Sequence, residues 1–161
     1  MKILVVYYSK TGTTRKLAER IAAQLNADVE SIVDTKKRSG LIGWLVGGRD
    51  GMRKISTTID PVSKNAADYD LVLIGGPLWG FKSVAPAART YLKQHRSTIK
   101  KAGFFITCGG TSPDDAFNDL KELYGKPVAG ILCVKQHDIN DAATAQKVKE
   151  FSAAVASGSA V

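Results

Sequence analysis

Ser9, Thr11, Thr13 and Thr14 place four hydroxyls within six positions, with Gly12 among them. They follow a short apolar run, and a helical pattern begins at once. Hydroxyls and exposed backbone N–H groups at a helix N-terminus bind anions. Gly12 lets the backbone approach closely. The nucleoside-triphosphate loop GxxxxGK[ST] is absent, and so is the dinucleotide fingerprint GxGxxG. Hydroxyls and amides without those patterns suit a terminal phosphate monoester. A capped helix start is the plainer reading, but one cap needs one hydroxyl.

Three further turns carry candidate chemistry: GGPLWGF at 75–81, TCGGTSP at 107–113 and KQHDIND at 135–141. Trp79 falls at the end of an apolar run. A buried core Trp is the bland alternative, but a strand-end loop suits stacking on a flat ligand. Cys108 reads as a small buried residue, with no second Cys nearby in sequence to make a dithiol relay. Cys108 and Cys133 read as free thiols rather than a disulfide. Neither forms a metal-ligand spacing with His95 or His137.

These turns need elements to hold them. Residues 2–8, 28–33, 70–75, 102–108 and 128–134 read as strands. Residues 13–26 form a helical stripe through Leu17, Ala18, Ile21, Ala22 and Leu25. Ser83 is a candidate cap for a helix reaching about residue 96, with Pro86 in its first turn. Ser112, Pro113, Asp114 and Asp115 start a helix that turns Phe117, Leu120, Leu123 and Tyr124 to one side. Asp138, Asn140 or Asp141 starts the last helix, with Ala145, Val148, Phe151 and Val155 inward. GLIGWLVGG, within 35–60, fits a core helix better than an exposed docking surface. Alternating strands and helices, with continuous apolar strands, mark a parallel sheet covered on both faces. Ligands then bind at the carboxyl ends of the strands, near the topological switch point.

The chain has 161 residues, 44% of them hydrophobic. That suits one domain over 1–156, with 157–161 as a frayed tail. No apolar run spans a bilayer, no signal-peptide pattern opens the chain, and a cytoplasmic protein is expected. The net charge of +8 points to an acidic partner, or to a solvated basic surface. Nucleic-acid motifs are missing, so no nucleic-acid partner and no stable membrane insertion are expected.

The stretch Val5-Val6-Tyr7-Tyr8-Ser9-Lys10-Thr11-Gly12-Thr13-Thr14, followed by Ala18 and Ile21, resembles the phosphate-loop signature of the flavodoxin family. The GGPLWG and TCGG turns fall where that family places its two isoalloxazine loops. The resemblance covers the order of elements along essentially the whole chain, in the short-chain form. It implies an α/β fold: a single three-layer flavodoxin-like domain with a five-stranded parallel sheet in order 2-1-3-4-5. It also implies FMN and electron transfer between redox proteins. By that resemblance Ser9, Thr11, Gly12, Thr13 and Thr14 hold the phosphate, helped by the backbone N–H of Lys10. Pro77, Leu78, Trp79, Gly80 and Phe81 line the ring, and Gly80 is the residue whose peptide changes direction on reduction. Cys108, Gly109, Gly110 and Thr111 contact the pyrimidine edge through backbone groups. No catalytic residue and no metal are implied.

Two departures stand out. The third loop lacks the Tyr common in the family, which leaves one ring face open, or covered by Trp44, Met52 or a neighbouring subunit. The chain is also basic where flavodoxins are acidic. Lys36, Lys37, Arg38, Arg49, Arg53 and Lys54 form a cluster suited to an acidic redox partner, and Lys10, Arg15, Lys16 and Lys82 put positive charge near the ring, partly opposed by Asp114 and Asp115. A monomer or homodimer is expected. The alternative function is an NAD(P)H- or quinone-dependent FMN oxidoreductase, for which an open ring face would give a substrate room to stack.

Overall fold

The structure, a computed structural model, describes residues 1–35, 57–80 and 83–157. Six strands are described: β1 (Ile3–Tyr7), β2 (Asp28–Ser31), β3 (Leu71–Trp79), β4 (Ser83–Val84), β5 (Ala102–Cys108) and β6 (Ile131–Lys135). The four described α-helices are α1 (Thr13–Leu25), α2 (Pro86–His95), α3 (Asp114–Tyr124) and α4 (Ala142–Ser157). The parallel sheet runs β2-β1-β3-β5-β6, and β4 lies antiparallel against the end of β3. Without β4, this is the expected order of five parallel strands.

Successive strand residues point to opposite faces, and the core divides accordingly. Leu4, Val6, Val72, Ile74, Phe104 and Ile106 pack with Tyr91 and Leu92 of α2 and Phe117 and Leu120 of α3. Val5, Leu71, Leu73 and Phe105 pack with Leu17 and Ile21 of α1 and Phe151 and Val155 of α4. Helices thus cover both faces, in three layers. No described helix is long and apolar enough to cross a membrane.

Several boundaries differ from the sequence reading. β3 continues through Gly75 and Gly76 to Trp79 rather than stopping at residue 75. Gly75 does not break the strand there. It admits the Phe105 ring, whose Cε2 would stand 2.0 Å from an added Cβ. Ser83 does not cap α2: it pairs with Trp79 in β4, and its hydroxyl donates to the Trp79 carbonyl at 3.0 Å. Pro86 occupies the first helical turn, and the preceding Ala85 is extended (φ −50°, ψ 131°). A residue before proline is pushed out of the helical region, so the helix cannot start earlier. β2 ends at Ser31 rather than 33, and the last strand begins at Ile131 rather than 128. In α4 the inward residue of the first turn is Thr144, not Ala145, which is exposed. The Thr144 hydroxyl donates to the Asp138 carbonyl at 2.7 Å, so its burial leaves that group satisfied. Ser157 is helical rather than frayed. The GLIGWLVGG segment and residues 158–161 lie outside the described residues.

Candidate functional site

The loops that leave the carboxyl ends of β1, β3 and β5 gather at one end of the sheet. β1 passes into α1 through Ser9–Gly12. Gly12 is the N-cap residue and has φ 92°, a left-handed conformation that suits glycine. Glycine has no side chain, so the N-cap residue itself offers the helix no side-chain cap. A helix start without a side-chain cap keeps N–H groups and the positive end of the helix dipole for an anion.

The hydroxyls have other partners. Ser9 Oγ accepts the Gly12 N–H at 3.1 Å, which folds the loop and leaves the Ser9 proton free to donate. Thr14 is buried, and its Oγ1 stands 2.7 Å from Oγ1 of Thr107, fully buried near the end of β5. One hydroxyl donates to the other, so the pair retains one proton to donate. Thr11 is exposed and Thr13 half-buried. Thr107 was not among the expected site residues. Its only sequence signal is its place just before the CGG turn.

Pro77, Leu78 and Trp79 form the half-buried end of β3, and Gly80 follows at φ 51°. β4 holds this end by pairing Leu78 with Val84 and Trp79 with Ser83. The Lys10 ammonium lies over the Trp79 ring, 5.5 Å from its centroid. Tyr8, Ser9, Lys10 and Trp79 line an open cleft of about 340 Å³, together with Ser31, Ile32, Val33 and Asp34 from the end of β2. The β2 residues were not anticipated. Ser9, Lys10 and Trp79 are thus brought together, whereas Cys108, Gly109, Gly110 and Thr111 are not among the walls of that cleft.

The third loop joins the site by another route. The Thr14–Thr107 bond ties the start of α1 to the end of β5, one residue before Cys108. Cys108 is buried, while Gly109, Gly110 (φ 128°) and Thr111 are exposed. Exposed backbone in a glycine turn can give hydrogen bonds to the edge of a planar ligand. The sulfur of Cys133, distant in sequence, lies 3.3 Å from that of Cys108. Phe81 and Lys82 lie outside the described residues, as do Trp44, Met52 and the cluster Lys36, Lys37, Arg38, Arg49, Arg53 and Lys54. Among the described residues no group of three or more His, Cys, Asp or Glu side chains could hold a metal ion.

No protein-family model and no curated protein matches the sequence. Solved structures do match. A Lactobacillus acidophilus flavoprotein in complex with FMN aligns at TM-score 0.67 and 24% identity, over 82% of this chain and 92% of that one. A candidate flavoprotein from Bacteroides uniformis aligns at 0.74 and 23%, over 93% and 96%. Oxidised flavodoxin 2 from Bacillus cereus aligns at 0.63 and 18%, over 98% and 99%. Sheet order, layering and these likenesses agree: the chain has the flavodoxin-like fold.

Proposed function

We propose that the chain binds FMN and carries electrons between redox proteins. The observation that carries the reading is the start of α1, where Gly12 at the N-cap leaves the first turn without a cap from its own side chain and four hydroxyls fall within six positions. A phosphate dianion fits this donor set, which offers N–H groups, hydroxyl protons and no carboxylate. The backbone N–H groups at the start of α1 hold the phosphate, with the amide of Lys10 and the hydroxyls of Ser9, Thr11, Thr13 and Thr14. Trp79 offers a flat face for the ring, Pro77, Leu78 and Gly80 shape its surroundings, and the Cys108–Thr111 turn offers backbone groups to its edge. Lys10, already at the Trp79 ring, favours negative charge nearby. FMN, when bound, supplies one- and two-electron redox chemistry. The flavodoxin-like fold supports the reading, as does the FMN complex of the Lactobacillus acidophilus neighbour. The net charge of +8 favours partners with acidic docking faces.

An FMN-dependent oxidoreductase using NAD(P)H or a quinone is the second reading. The exposed Gly109 and Gly110, with no aromatic in that turn, favour it, because hydride transfer needs a substrate stacked on the flavin. Stopped-flow mixing of the FMN-loaded protein with NADH and NADPH separates the two. A carrier bleaches only when a reductase is added, whereas direct bleaching within milliseconds would replace the carrier with the enzyme.

Trp79→Ala tests the ring site. Loss of one aromatic platform weakens stacking by roughly 1–3 kcal/mol. We expect FMN to bind more weakly by that amount and to emit more strongly when bound. Unchanged affinity and emission in a fluorescence titration would remove Trp79 from the ring site.

A further inference from the structure

Cys108 and Cys133 are 25 positions apart in sequence, yet their sulfurs stand 3.3 Å apart. The parallel pairing of β5 and β6 sets Cys133 opposite Ile106. Cys108 lies two residues beyond Ile106 and so shares its face of the sheet. Both are free thiols. A disulfide needs about 2.05 Å between sulfurs, so closure draws them together by a little over ~1 Å.

We propose that Cys108 and Cys133 form a reversible disulfide under peroxide, and that its closure displaces the CGGT turn. Cys108 is the last residue of β5 and opens that turn. Its neighbour Thr107 is bonded to Thr14 at the start of α1. Movement of the strand end therefore reaches both loops. The thiol chemistry stands on the sulfur geometry alone, and only its effect on FMN rests on the function proposed above.

Cys133 is half-buried and Cys108 only 3% exposed, so Cys133 meets the oxidant first. Its sulfur attacks the O–O bond of the peroxide and becomes a sulfenic acid, releasing water. The Cys108 sulfur then attacks the sulfenic sulfur. Hydroxide leaves and takes up the Cys108 proton as water. Two thiols lose two electrons and two protons, and one hydrogen peroxide becomes two waters. Burial pushes the Cys133 thiol up to about 12, the Cys108 contact and Asp114 act in the same direction, and Lys147 opposes them. The thiolate is scarce at neutral pH, so closure is slow there. It accelerates by about tenfold per pH unit below that value.

The test treats the full chain, without FMN, with hydrogen peroxide between pH 7 and 9. Thiols are counted after denaturation, and peptides are mapped by mass. We expect both thiols to disappear together, faster at higher pH, and a Cys108–Cys133 linked peptide lighter by two hydrogens. Dithiothreitol should restore both thiols. Cys133→Ser should yield no link within the chain. Thiols that survive, oxidise separately without a linked peptide, or link only between chains would overturn the proposal. FMN titration of the oxidised and reduced protein reads the coupling. Several-fold weaker binding in the oxidised wild type, absent from peroxide-treated Cys133→Ser, supports it, and equal affinity overturns the displacement of the turn. Failure of FMN to bind either form would count against the cofactor reading and leave the linked peptide standing.

Discussion

FMN will bind at least about 1,000-fold more tightly than riboflavin. The two ligands share the ring, so the contacts proposed for Trp79 and the CGGT turn would serve both, and only FMN would bring a phosphate to the start of α1. Each charge-assisted hydrogen bond contributes about 1.5–3 kcal/mol, and three suffice for that ratio. Thr14 sharpens the test. Its hydroxyl is paired with that of Thr107 at 2.7 Å, so Thr107 can donate to Thr14 Oγ1 while the Thr14 proton turns to the phosphate. Thr14→Val removes that donor and strands the Thr107 hydroxyl in the core. FMN affinity should fall by about 1.5–3 kcal/mol with riboflavin affinity unchanged, and the apoprotein should lose about 1–3 kcal/mol of stability. Thr14→Ser keeps the hydroxyl and should restore most of both. Titrations with the two ligands, beside urea unfolding of the apoprotein, separate binding from folding. An equal loss for FMN and riboflavin would sink the assignment of this loop to phosphate.

What was legible in the sequence is what short-range pattern encodes. The five parallel strands and the stripe Leu17, Ala18, Ile21 and Ala22 follow from apolar runs and helical spacing, whereas the strand order comes from the family resemblance. The proposal that Ser9–Thr14 binds an anion starts from composition at one helix start. Features that depend on strand pairing were hidden. Thr107 matters because β5 carries it to Thr14, 93 positions away. The two cysteines meet only through the register of β5 against β6. Gly75 and Gly76 look like punctuation, whereas Gly75 makes room for the Phe105 ring within a continuing strand. Ser83 looks like a cap for the same reason: a hydroxyl before a helical stretch is ambiguous until the partner of its backbone is known. Ser31–Asp34 entered the Trp79 cleft because β2 lies beside β1, an adjacency the order 2-1-3-4-5 already contained but residue types did not point to.

Asp119→Ala will destabilise the apoprotein by about 3–5 kcal/mol. Arg89 of α2 donates from Nε to Asp119 Oδ2 of α3 at 2.9 Å, and from Nη2 to Oδ1 at 3.5 Å. The two side chains are only 15% and 8% exposed. A pair this dry differs from a surface ion pair, which contributes about 0–1 kcal/mol. Removing the carboxylate takes both of these hydrogen bonds from a guanidinium that water barely reaches, which is costly. The pair also clasps the helices that follow the two proposed ring loops, since α2 begins just after the β3–β4 turn and α3 just after the CGGT turn. Asp119→Asn keeps an acceptor and the volume, so its loss should be smaller. Replacing both partners, as Arg89→Met with Asp119→Leu, removes both buried charges and should recover much of the stability. Urea unfolding decides it: a lower midpoint at constant slope reports lost stability without a change in the surface exposed. A single-variant loss below about 0.5 kcal/mol would mean that water screens the pair after all, and that packing alone joins α2 to α3 beneath the site.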